Sequence, residues 1–278
     1  MESNNNFNNN NSNNNNIHYR IIEPFRSIGI TTSNIPPHIF SISTNRYLLT
    51  SNNYSFLLYN LEHLRIERIS PPTSNKITSL SSYKNKIFCS TEDYVYLYDK
   101  LHVIKKYKGE KYINKILTFD EVILFSSTEG NLFIYDIYSE ELINKLKLNI
   151  KNFIHPTTYV NKILYSSNNN NMDLILYNIN TEKEIYNFNN VLNNNNSNSK
   201  ITLIEQSPVI DVICVIIDNS SSNDIINNNN EIILVNLKLA KKLFSLTSSE
   251  KILSISFSND SNMNFSLLAT CTKNNVYF

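Results

Sequence analysis

The sequence predicts an all-β fold of repeated antiparallel sheets, and three observations predict it. Apolar residues come in runs of about four to seven, rich in Ile, Leu, Tyr and Phe, which is strand chemistry at strand length. Clusters of Ser, Asn, Thr, Asp and Lys separate the runs and mark turns. One local pattern, an apolar run closed by an aromatic residue and then Asp or Asn, recurs along the chain. The helix-like stretch at 138–148, YSEELINKLKL, is short and rich in Ile and Leu, and its context makes it strand.

The recurring pattern appears as FLLYN ending at Asn60, VYLYD at Asp99, LFIYD at Asp136 and LILYN at Asn178. A weaker copy, IILVN ending at Asn236, has Val in place of the ring. The steps are about 39, 37, 42 and 58 residues, against ~40–45 for a WD-type propeller blade. The long last step contains Asn-rich stretches near 193–198 and 219–230, read as loop insertions, and removing them restores the period.

The other parts of a unit recur as well. Before the aromatic pair comes a strand ending in Ser or Thr, IFCST at 87–91 and ILFSST at 123–128. After it comes an outer strand, HVIKKYKG at 102–109 or ELINKLKL at 141–148. The next unit opens with an inner strand: ITSL at 77–80, INKIL at 113–117, ITLI at 201–204, ILSIS at 252–256. Four strands from inner to outer make a propeller blade. The expected fold is therefore an incomplete WD-repeat-type β-propeller of about six four-stranded blades.

Blade geometry assigns the aromatic–acid pair a structural role. A ring wedged between stacked sheets is worth roughly 2–3 kcal/mol of burial. The neighbouring Asp or Asn hydrogen-bonds the turn into the outer strand. Trp is the usual ring, but this chain has no Trp and 17 Tyr. The expected blade positions are Tyr59 with Asn60, Tyr98 with Asp99, Tyr135 with Asp136, and Tyr177 with Asn178.

Composition narrows the function classes. Net charge is +1 over 278 residues, without the basic excess of a phosphate-gripping domain. The densest basic stretch, Lys105, Lys106 and Lys108 with Lys111, reads as a solvated strand and loop. No segment approaches the ~20 apolar residues of a membrane span, and no secretory signal opens the chain. A reducing compartment is expected, with Cys89, Cys214 and Cys271 as buried small hydrophobes. Residues 4–16 are almost all Asn, so 1–16 is expected to be a disordered tail, with 17–278 forming the propeller.

Catalytic, metal and cofactor sites are not expected. Gly29, Gly109 and Gly130 are the only glycines, too few for a glycine-rich phosphate loop. The five histidines, His18, His38, His63, His102 and His155, have no ligand spacing, and no GxSxG elbow occurs. Binding is the default: a rigid disc whose loops on two faces can each take a partner. Phe25 and Arg26 are the pair expected to touch a partner, since aromatics and Arg are enriched at interfaces.

Four stretches resemble the WD repeat-containing protein 36 family, tandem-propeller subunits of the UTP-B subcomplex of the small-subunit processome. They are EPFRSIGITTSNIP (23–36), DIYSEE (136–141), IHPTTYVNKILYSS (154–167) and EQSPVIDVICV (205–215). The matches fall in order and cover about 17–278, which corresponds to the family's first propeller. The resemblance implies a non-enzymatic scaffold in pre-rRNA processing and small-subunit biogenesis, in the nucleolus. It implies other UTP-B propeller subunits as partners and indirect contact with pre-rRNA or small nucleolar RNA, with no membrane and no small-molecule substrate. An adaptor of another complex, such as a ubiquitin-ligase substrate receptor, is the alternative. CTKNNVYF (271–278) stops where the next aromatic–acid pair is due, so the expected ring is cut before its closing blade. IIEPF (21–25) is expected to supply an outer strand of that blade.

Overall fold

A computed structural model of the chain describes residues 35–110, 112–119, 121–155, 161–192, 199–219, 230–258 and 267–278. These belong to one compact unit, Thr31–Phe278, and nothing before residue 35 is among them. Phe25, Arg26, the strand expected at 21–25 and the tail 1–16 therefore all lie outside them.

The described residues form six antiparallel sheets arranged as a propeller ring. The first holds β1 (His38–Ile42), β2 (Asn45–Asn52), β3 (Ser55–Asn60) and β4 (Arg65–Ile69). The second holds β5 (Ser79–Tyr83), β6 (Lys86–Ser90), β7 (Tyr94–Asp99) and β8 (His102–Lys108). The third holds β9 (Ile113–Phe119), β10 (Val122–Ser127), β11 (Asn131–Asp136) and β12 (Leu142–Lys147). The fourth holds β13 (Ile150–Ile154), β14 (Lys162–Ser167), β15 (Leu174–Asn178) and β16 (Lys183–Asn187). The fifth holds β17 (Lys200–Gln206), β18 (Val212–Asp218), β19 (Asn230–Asn236) and β20 (Lys241–Ser248). The sixth has three strands, β21 (Ser254–Phe257), β22 (Leu268–Cys271) and β23 (Val276–Tyr277).

Strands pair in sequence order within every sheet, so each sheet is a meander. First strands neighbour one another from sheet to sheet and line the axis. Fourth strands such as β16 are exposed along their length and form the rim. The middle strands carry the burial: all seven residues of β18, VICVIID, are buried, as befits a strand covered on both faces. Five hydrophobic cores fill the five faces between consecutive sheets.

Three local features differ from the sequence reading. The inner strand expected at 77–80 begins at Ser79, because Ile77 and Thr78 first bond back to Asn53 and Ser90. A four-residue helix, α1 (Asn189–Leu192), follows β16 and buries Leu192 beside Phe188 in the core between the fourth and fifth sheets. Asn230, inside the expected insertion 219–230, is the first residue of β19; it is buried and pairs with Asp218 and Ser248. The rest of that insertion, 220–229, and the whole of 193–198 lie outside the described residues.

Candidate functional site

The aromatic positions lie on the third strand of each of the first four sheets. Tyr59, Tyr98, Tyr135 and Tyr177 are all buried, between 3% and 9% exposed. Three of the rings face the preceding sheet: Tyr98 meets Phe56 edge-on at 5.0 Å between centroids, Tyr135 meets Tyr107 at 5.4 Å, and Tyr177 joins the core shared with the third sheet. Val235 takes the position in the fifth sheet and is fully buried.

A β-bulge accompanies every one of these residues. The register between third and fourth strands slips at Leu58/Tyr59, Leu97/Tyr98, Ile134/Tyr135, Leu176/Tyr177 and Leu234/Val235. A bulge sharpens local twist and re-aims a side chain, here into the neighbouring sheet.

The polar partner then closes the turn. Asn60 Oδ1 accepts the backbone N–H groups of Glu62 and His63, both at 3.0 Å. Asp136 Oδ1 accepts those of Tyr138 and Ser139 at 2.8 and 2.6 Å. Asn178 does the same for Asn180 and Thr181. The hydrogen bond from Ser139, followed by that from Tyr138, holds the Asp136 carboxyl below the usual carboxylate range despite partial desolvation. Each of these three turns ends four residues after the acid or amide on a residue with positive φ: Leu64, Glu140 and Glu182. Asp99 differs. Its turn has two residues, Lys100 carries the positive φ, and its carboxylate pairs with Lys86 at 3.4 Å.

Among the described residues, four of the five faces between sheets also carry polar or ring contacts near the axis. His38 Nε2 and Ser82 Oγ are 2.9 Å apart, joining β1 to β5. Burial lowers the His38 pKa below the usual imidazole value. Thr118 Oγ1 donates to the Ser82 carbonyl at 2.8 Å, joining β9 to β5. The His155 ring, just past β13, stacks on Phe119 of β9 at 3.8 Å. Lys151 Nζ and Asn152 Nδ2 donate to the Ile201 and Thr202 carbonyls, joining β13 to β17.

Between β9, β13 and β17 the axial wall opens into a cavity of about 420 Å³. Lys115, Leu117, Thr118 and Phe119 line one side, Ile154 and His155 the middle, and Glu205, Gln206 and Pro208 the other. Lys115 and Glu205 are half-buried and feel each other's charge. The sequence named His155 only among histidines without ligand spacing, and pointed to neither of these. The available signal was a charged residue inside each of two apolar inner strands, INKIL and ITLIEQ.

Cys89 and Cys214 are fully buried, and burial pushes both thiols up to about 12, so neither is a nucleophile at neutral pH. Cys271 is half-buried on β22. Among the described residues no group of three or more His, Cys, Asp or Glu could hold a metal ion.

Comparison with known proteins adds to this geometry. The family model of the WDR36/Utp21 first beta-propeller matches residues 48–277. WD repeat-containing protein 36 of Homo sapiens is 26% identical over 69% of this chain. The U3 small nucleolar RNA-associated protein 21 homolog of Schizosaccharomyces pombe is 24% identical over 87% of it. The U3 small nucleolar RNA-associated protein 21 of Saccharomyces cerevisiae is 23% identical over 89% of it. The chain spans only 22–26% of the length of these relatives. Among solved structures, a chain of the mitotic checkpoint complex superposes with a TM-score of 0.62 at 12% identity, covering 86% of this chain and 73% of that one. The computationally designed Ika8 protein superposes at 0.57 with 10% identity, covering 84% and 67%. These two likenesses show the fold alone.

Proposed function

The chain belongs to the WDR36/Utp21 first β-propeller family, and from that premise we propose that it is a non-enzymatic interaction module of the small-subunit processome. In this role it helps assemble the particle on pre-ribosomal RNA in the nucleolus and docks against other propeller subunits of the UTP-B subcomplex. Phe25 and Arg26, in the segment resembling the family's entry, join that contact.

The family match over 48–277 carries this reading. Two of the relatives are named for association with U3 small nucleolar RNA, which fits it. The surface suits protein contact. Leu243, Phe244 and Leu246 on the rim strand β20 are each more than half exposed, an apolar stripe suited to a protein partner. The buried chemistry serves packing: Tyr98, Tyr135 and Tyr177 sit in hydrophobic cores, Tyr59 is buried too, and the most buried cysteines have raised pKa values.

Affinity purification of the tagged protein from its own cells tests the proposal. Processome proteins, U3 small nucleolar RNA and precursor rRNA are the expected co-purifying species. Recovery of ubiquitin-ligase subunits in their place overturns it.

A further inference from the structure

Lys115 and Glu205 approach the same axial cavity from inner strands two sheets apart, β9 and β17. Among the described residues neither side chain makes a hydrogen bond or an ion pair. Each charge has lost part of its hydration without gaining a direct partner, an arrangement that costs stability. Sequences tolerate such a cost most readily where a site needs the charges.

The titration of the two groups agrees. In a closed salt bridge the lysine would rise and the carboxylate would fall. Here desolvation is the largest cause for both, and it drives Lys115 down and Glu205 up, with their mutual attraction only a partial offset. The remaining wall supplies the rest of a recognition surface. Phe119 and His155 are stacked 12° from parallel, and Leu117, Ile154 and Pro208 add apolar contact.

We propose that this cavity is a binding site for a ligand that presents a carboxylate to Lys115 and a guanidinium to Glu205 at the same time. A guanidinium fits better than an ammonium. It is planar, can bond a carboxylate bidentately, and stacks on an aromatic wall of the Phe119–His155 kind. Two sources carry this chemistry: an arginine beside an acidic residue in a partner's peptide segment, and a free arginine-type amino acid. A cavity of about 420 Å³ accommodates either.

The test uses the full chain and two probes, the blocked dipeptide acetyl-Arg-Asp-amide and free L-arginine, titrated against methyl-labelled protein by NMR. Saturable shifts at Leu117 and Ile154 with either probe are expected, and the tighter probe identifies the source. Lys115→Met and Glu205→Gln should each weaken that binding at least tenfold, while Lys115→Arg, which keeps the charge, retains it. Thermal melts of the same samples separate lost binding from lost folding. The absence of saturable shifts with both probes overturns the proposal, as does binding that Lys115→Met and Glu205→Gln leave unchanged.

Discussion

The face between the second and third sheets and the face between the fifth and sixth share one backbone plan and differ in what fills them. The first buries eleven residues, with Tyr107, Tyr135, Phe88, Phe125 and Phe133 among them. The second buries four, Cys214, Ile216, Ile232 and Ile252, and its one ring, Phe257, is half-buried. Two hydroxyls also cross the richer face in opposite directions. Tyr107 of the second sheet donates to the Ile137 carbonyl at 2.9 Å, and Tyr135 of the third donates to the Lys108 carbonyl at 2.8 Å. Among the described residues the sixth sheet contributes three short strands and no such staple. A repeat fold is held by the sum of its neighbouring faces, so it should open first where a face is poorest.

The largest effect expected from this contrast is the loss of a wedge. Tyr135→Ala removes a ring in contact with Tyr107 and Phe125 and should cost about 3–5 kcal/mol. Ile216→Ala, fully buried in the poorer face, should cost about 2 kcal/mol, because a thin core relaxes into the gap. Urea denaturation midpoints check both. Equal costs would break the comparison.

The two staples give a sharper and smaller test. Tyr107→Phe keeps the ring and leaves the buried Ile137 carbonyl without its donor, at a cost of about 1–1.5 kcal/mol. Tyr177→Phe alters another buried ring, whose hydroxyl makes no hydrogen bond among the described residues, so its cost should be near zero. The same denaturation series reads the difference.

These contrasts mark where the sequence was legible. Alternating apolar runs and the aromatic–acid period placed the third strands within a residue or two, because burial on both faces leaves a continuous apolar signature. The bulge beside each ring left no such mark. It is a register slip between strands, and the residues on either side, such as Ile134 and Tyr135, are ordinary strand formers. Positive φ at Leu64, Glu140 and Glu182 was equally silent, since Gly or Asn would have signalled it and neither stands there. The axial cavity was hidden for a different reason. Lys115 and Glu205 are ninety positions apart in sequence, and only ring geometry makes them neighbours across a wall.

Turn chemistry separates two blades that look alike in sequence. Asp136 accepts two backbone N–H groups, so Asp136→Ala should cost about 1 kcal/mol, as for a lost helix cap. Asp99 pairs with Lys86, and both side chains are about a third or more exposed. Its replacement by Ala should cost under about 0.5 kcal/mol. Paired thermal melts decide the order, and a costlier Asp99→Ala would refute it.

The fifth sheet carries one further burden, and its sign can be tested by pH. Glu205 belongs to the fifth sheet, and burial raises its pKa. A carboxyl raised on folding favours the native state when protonated. That contribution is complete below the unfolded carboxyl pKa and is lost as pH climbs through the folded one. At neutral pH the wild-type protein therefore holds an unfavourable charge that Glu205→Gln lacks. Lys115 and His155 line the same cavity and are common to both proteins, so the difference isolates the carboxylate. The substitution also removes an attraction on Lys115, but desolvation is the larger cause in both groups. Glu205→Gln should raise the melting temperature by about 1–2 °C at pH 7, and the gain should vanish below about pH 4. A variant that melts lower than the wild type at neutral pH would mean that Glu205 is held by partners strong enough to outweigh its burial.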